Sequence, residues 1–92
     1  MIAKKVDANQ KLIVQQLRQI GCSVFVTSKV GEGFPDLVVG FRGKNFLIEL
    51  KDGNKSASRK KLTEYQDTFF MIWQGQVNKA ESFNDILLII QK

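Results

Sequence analysis

Apolar and polar residues alternate one by one along residues 35–51, PDLVVGFRGKNFLIELK, and this pattern predicts a β-hairpin. In the first half Leu37, Val39 and Phe41 alternate with Asp36, Val38 and Gly40. In the second, Phe46, Ile48 and Leu50 alternate with Leu47, Glu49 and Lys51. The turn lies within Arg42-Gly43-Lys44-Asn45, and its length sets the register, because a slip of one residue moves every side chain of a strand to the other face. A two-residue loop at Arg42-Gly43 sets Phe41 against Lys44, Val39 against Phe46 and Leu37 against Ile48, which unites the apolar sets and brings Asp36 opposite Glu49. A four-residue loop brings Asp36 opposite Lys51 instead. Both keep Asp36, Glu49 and Lys51 on one face.

A longer period precedes the hairpin. Residues 7–20 space Ile13, Leu17 and Ile20 along one face of a helix, with Gly21 as its stop. Asp7 and Gln10 stand at capping-box spacing at its start. Ser23-Val24-Phe25-Val26-Thr27-Ser28, β-branched and aromatic, predicts a first strand antiparallel to the hairpin. Residues 29–34 form a loop punctuated by Gly31 and Gly33, which serve turn geometry or close approach to a phosphate. The loop lacks the Gly-Lys-Ser/Thr ending of a P-loop, so no nucleotide cofactor is expected.

After the hairpin, residues 52–58 are small and polar and predict a flexible loop. Thr63-Glu64-Tyr65-Gln66 matches a capping box that opens a second helix, ending near Gly75, with Phe69, Phe70 and Trp73 as its apolar stripe. Gln66 precedes those aromatics by three, four and seven residues and so shares their inward face, where its amide needs a partner. Capping of Thr63 and a place in a polar site both remain open. Residues 76–80 predict a weak final strand. Ser82 and Asp85 have capping spacing before the run Ile86, Leu87, Leu88, Ile89 and Ile90, which reads as a short helix, with a terminal strand as the alternative. Surplus apolar surface there suits a dimer interface. The chain, residues 1–92, is thus expected to be one α/β domain in the order helix, three antiparallel strands, helix, strand, helix.

The charges at the open end of the hairpin turn this folding pattern into a candidate site. Two carboxylates and an ammonium gathered on one patch of a small sheet suit a divalent cation, since Mg²⁺ takes oxygen ligands from one or two carboxylates and keeps several waters. Pro-Asp alone also opens ordinary turns, and Glu-x-Lys alone is common as solvated charge on a strand edge. Their combination on one face points to metal. The chain has no histidine, which excludes Ser-His-Asp and Cys-His catalysis, histidine-metal nucleases and Cys/His zinc sites. The lone Cys22 allows no internal disulfide and reads as a small core residue at the start of a strand.

Net charge is +5 and unevenly placed, with Lys51, Lys55, Arg59, Lys60 and Lys61 set against Asp52 within residues 51–61. Beside a carboxylate patch, such a concentration fits a phosphate-backbone partner, with Lys55, Arg59, Lys60 and Lys61 as its contacts, or else a solvated basic loop. No apolar run follows the basic N-terminal residues, so neither a signal peptide nor a membrane span is expected and the protein should be soluble and intracellular.

Pro35-Asp36 followed, thirteen positions after the Asp, by Glu49-Leu50-Lys51 resembles the PD-(D/E)xK nuclease signature. Gly33-Phe34-Pro35-Asp36-Leu37-Val38-Val39-Gly40 with Ile48-Glu49-Leu50-Lys51 is most similar to the VRR-NUC branch, and within it to short stand-alone proteins often carried by phages. The resemblance extends over nearly the whole chain. It implies a restriction-endonuclease-like αβββαβ core with a mixed sheet and flanking helices, and Mg²⁺- or Mn²⁺-dependent hydrolysis of DNA phosphodiesters. It implies Asp36 and Glu49 as metal ligands, the Leu50 backbone carbonyl as a third, and Lys51 acting on the attacking water and the phosphate. A Gln in the helix after the Glu-x-Lys strand is directed at the active centre in such chains, which fits Gln66. A further acidic residue on the first helix often lies near the metal, and Asp7 is the candidate, although a simple N-cap explains it equally. Minimal relatives of this kind act as homodimers on branched DNA, similar to Holliday-junction resolvases, in the cytoplasm of a bacterial or phage-infected cell. The rival from another class is a noncatalytic DNA-binding or assembly module that keeps the fold and the basic loop. A module without chemistry has no need of converging carboxylates.

Overall fold

The spacing of buried residues in the first helix accounts for both its packing and its end. In the computed structural model, which describes residues 8–56 and 60–92, α1 spans Ala8–Gln19. It buries Gln10, Ile13, Val14 and Leu17, positions three and four apart along one face. Gly21, at φ 95°, turns the chain out of the helix. Its N–H donates to the Arg18 carbonyl at 3.1 Å while that of Cys22 donates to the Leu17 carbonyl at 3.0 Å, which satisfies two of the helix's last carbonyls. Cys22 thereby follows Leu17 into the core. Ile20, expected on the buried face, is instead 43% exposed, because the left-handed turn carries the chain away before that side chain can face inward. The expected capping residue Asp7 lies outside the described residues. The Gln10 side chain exchanges hydrogen bonds with the Ser28 hydroxyl at 3.2 and 3.3 Å.

Three antiparallel strands follow. β1 spans Ser23–Val26 and stops short of the expected Ser28. Thr27 turns aside to bond through its N–H and its hydroxyl to the carbonyls of Asp36 and Pro35, each at 2.7 Å. β2 (Leu37–Phe41) and β3 (Lys44–Leu50) form the hairpin. Leu37 pairs with Ile48, Val39 with Phe46 and Phe41 with Lys44, the register of the two-residue loop. Arg42 and Gly43 have φ 51° and 77°, the positive angles that a two-residue turn needs to follow the twist of its strands.

α2 spans Glu64–Ile72, and Trp73 caps it in an extended conformation ahead of the expected stop at Gly75. β4 (Asn78–Ala80) joins the far side of β3 in parallel. α3 (Phe83–Ile90) is a helix rather than a strand, its first turn held by the Ser82 hydroxyl accepting from the Asp85 N–H. The result is a four-stranded mixed sheet in the order β1-β2-β3-β4 with flanking helices.

Alternation along the hairpin decides which face is core. Leu37, Val39, Phe46 and Ile48 face α1 and α3, where they form one apolar cluster with Ile13, Leu17, Ile86 and Ile90. The run at residues 86–90 serves this core mainly through Ile86 and Ile90, which are buried, while Leu88 stays 69% exposed on its outer side. Other exposed apolar side chains include Phe25 at 76% and Met71 at 78%. In α2 the expected inward stripe is only half-buried at Phe69 and Phe70, and Trp73 is exposed. Its aromatics pack locally, Phe69 stacking on Trp73 with ring centroids 5.0 Å apart and meeting the edge of Phe34 at 5.5 Å, because α2 lies apart from the main cluster. Among the described residues no helix is long and apolar enough to cross a membrane.

Candidate functional site

Pro35 and Asp36 enter β2 from the glycine loop, and both are buried. Pro35 contributes a carbonyl but no N–H, and that carbonyl takes the Thr27 hydroxyl while the Asp36 carbonyl takes the Thr27 N–H. The Asp36 backbone is thus pinned to the end of β1. Its carboxylate reaches across to β3, where Oδ2 accepts the Leu50 N–H at 2.9 Å. The side chain is thereby fixed at the residue that stands between Glu49 and Lys51.

Glu49 is the most deeply buried charged residue of the site, at 1% exposure. A carboxylate removed from water must be compensated by donors or positive charge. Gln66 donates through Nε2 to Glu49 Oε2 at 2.8 Å, and the Lys51 ammonium stands 3.8 Å from the same oxygen. Lys51 Nζ in turn donates to Gln66 Oε1 at 2.8 Å. One amide therefore bridges the anion and the cation, with each of its ends in the correct polarity. Removing a single partner from such a buried cluster costs more than the pair contributes, so its presence points to a purpose other than stability.

Both open roles of Gln66 are realised. Its Oε1 accepts from the Thr63 N–H at 2.9 Å and its own N–H donates to the Thr63 hydroxyl at 3.3 Å, a complete capping box. The start of α2 and the aim of the amide are fixed by the same side chain. Gly33 presses on this junction: a Cβ there would lie 2.2 Å from the Tyr65 carbonyl oxygen and 2.9 Å from the Gln66 nitrogen, and Gly33 has φ 79°. Gly33→Ala is accordingly expected to destabilise the fold by about 2 to 3 kcal/mol, read as a lower urea midpoint at unchanged slope, and to pull Gln66 off Glu49. A variant as stable as the wild type would show that the loop does not brace α2.

The Asp36 and Glu49 carboxylates offer oxygen donors only, with the Gln66 amide and the Lys51 ammonium beside Glu49. That is the chemistry of Mg²⁺ or Mn²⁺ rather than of zinc. Among the described residues no group of three acidic, Cys or His side chains gathers to enclose an ion, and two carboxylates with retained waters is the habit of Mg²⁺. Cys22 takes no part. It is buried, and desolvation pushes its thiol above the usual range, which disfavours the thiolate that a nucleophile or metal ligand requires.

The basic positions differ in their surroundings. Lys55 and Lys61 are exposed. Lys60 is half-buried and stands 3.5 Å from Glu81, and Arg59 lies outside the described residues. Lys79 was not foreseen: β4 sets it directly beside Glu49, with its ammonium 3.4 Å from the Lys60 carbonyl. The weak strand is legible in the sequence, but its parallel pairing with β3 is not.

No protein-family model, curated protein or solved structure matches the chain.

Proposed function

We propose that this protein is a metal-dependent DNA endonuclease with a restriction-endonuclease-like core of the VRR-NUC kind. The observation that carries the reading is the Gln66 amide held between the buried Glu49 carboxylate and the Lys51 ammonium, with Asp36 anchored to the intervening Leu50. Asp36, Glu49 and the Leu50 carbonyl would hold the ion. When bound, Mg²⁺ or Mn²⁺ supplies Lewis acidity toward a phosphate oxygen and lowers the pKa of a coordinated water.

The chain's own residues do the rest. Glu49 keeps its carboxylate orientation through Gln66, so no reorganisation is needed as charge develops. Lys51, 12% exposed at its side chain, offers an ammonium that orients the attacking water and offsets negative charge on the phosphate. Lys55 and Lys61, with Lys79 beside Glu49, supply positive charge for the flanking backbone. A homodimer acting on branched DNA follows from the resemblance, and exposed apolar side chains such as Phe25 and Met71 would serve its interface.

A cleavage assay on four-way, flapped and linear DNA in Mg²⁺, Mn²⁺ or EDTA tests the reading. Metal-dependent nicking, strongest on branched substrates, is expected. Tight binding with no cleavage under any metal would assign the chain to a noncatalytic DNA-binding module.

A further inference from the structure

The solvent face of α1 lacks the mixture of signs that solvated helices carry. Its twelve residues include Lys11 and Arg18 among glutamines, with no carboxylate at all, whereas an exposed helix ordinarily alternates Glu and Lys for mutual support. This face borders an open groove of about 870 Å³ between α1 and the edge strand β1, with Val14 and Val26 in its lining and Lys11, Gln15, Arg18, Gln19 and, from the loop beyond β1, Lys29 as its polar walls. No acidic side chain lines it. Three cations and several amides along a trough are the donors that contact sugar-phosphate backbones without reading sequence.

Position gives the groove a direction. Ser28 lines it and also lines a second cleft of about 520 Å³, whose other walls include Glu32, Gly33, Thr63 and Gln66. Gln66 is the residue that holds Glu49 and Lys51. A continuous depression therefore runs from the outer face of α1, past Ser28, to the amide beside the buried carboxylate, basic along α1 and carrying Glu32 at its inner end. Lys55 and Lys61 follow β3 in the chain and are not part of this trough.

We infer that the groove between α1 and β1 is a second phosphate-backbone tract, which holds a DNA strand leaving the cleavage site past Ser28. The inference rests on the nuclease reading. It makes Lys11, Arg18 and Lys29 binding residues, not catalytic ones.

The test uses Lys11→Gln with Lys29→Gln, both exposed side chains. Arg18 is left intact because its guanidinium donates to the Val24 carbonyl at 3.0 Å and so supports β1. The control, Lys44→Gln with Lys92→Gln, removes equal charge from exposed positions outside the trough. Binding of labelled duplex DNA is followed by fluorescence polarisation in EDTA across a salt series, with circular dichroism to confirm folding. The groove variant should lose affinity on the order of tenfold and lower the salt slope by roughly 1.8, two contacts at about 0.9 each, while the control stays close to wild type. An unchanged slope, or an equal loss in the control, overturns the tract but leaves metal-dependent cleavage standing. Loss of poly-glutamate binding with DNA binding intact would assign the groove to an acidic protein partner and also overturn it. Wild-type protein that neither binds nor cleaves DNA would remove the nuclease reading itself, and the tract with it.

Discussion

Asp36→Asn and Glu49→Gln are each expected to lower DNA cleavage by more than about a hundredfold while leaving the fold intact, since each removes a ligand charge from the stabilisation of the transition state. The contacts explain why folding should survive. An asparagine at position 36 can still offer its carbonyl oxygen to the Leu50 N–H, which now bonds Asp36 at 2.9 Å. A glutamine at position 49 can still accept from Gln66 Nε2, and it replaces a carboxylate that is 1% exposed with a neutral group. Burying an amide is less costly than burying a charge, which offsets part of the cost of leaving the Lys51 ammonium without its counter-charge, so Glu49→Gln should stay folded while it loses activity. That pairing, folded yet inactive, is the signature of a residue kept for chemistry. Titration calorimetry should show weaker Mn²⁺ binding in both variants. Near wild-type cleavage by either would falsify the metal assignment.

The hairpin was legible from its alternation. Alternation fixes the faces, so Asp36, Glu49 and Lys51 share one side whichever loop length holds, while the choice of the two-residue register is made by the positive φ of Arg42 and Gly43 in the folded chain. Gln66 was legible from spacing, but spacing could not show that one amide serves the Thr63 cap, Glu49 and Lys51 at once, since that depends on where α2 docks. The misplaced residues share a cause. Ile20 and Trp73 both fall at the right period and then outside the helix's packed length, because the left-handed turn at Gly21 and the extended cap at Trp73 end the period early. The trough was invisible for a different reason: Lys11, Arg18 and Lys29 are scattered among neutral residues and become neighbours only when β1 is laid beside α1. A charge count by window finds residues 51–61 and passes over the helix.

Lys51→Ala separates chemistry from binding more cleanly than any other single change. The ammonium donates to Gln66 Oε1 at 2.8 Å, but that oxygen also accepts the Thr63 N–H at 2.9 Å. Gln66 therefore keeps one anchor when Lys51 is lost, and its Nε2 stays on Glu49, so the site keeps its geometry at some cost in stability from the buried carboxylate, and circular dichroism confirms folding before rates are compared. If the ammonium acts on the attacking water and the scissile phosphate, its contribution is made mainly in the transition state. Turnover at saturating DNA should then fall by about two to three orders of magnitude, the cost of one preorganised electrostatic group. Affinity should fall only by about the worth of a single phosphate contact. Lys55→Ala supplies the contrast, since an exposed lysine that touches only backbone changes affinity and leaves turnover intact. Removing positive charge beside Glu49 also favours a bound cation there, so the comparison is made at saturating Mg²⁺ and saturating DNA, where tighter metal binding cannot mask the loss. Full turnover by Lys51→Ala under those conditions would sink the mechanism while leaving the metal ligands to be judged by Asp36→Asn and Glu49→Gln.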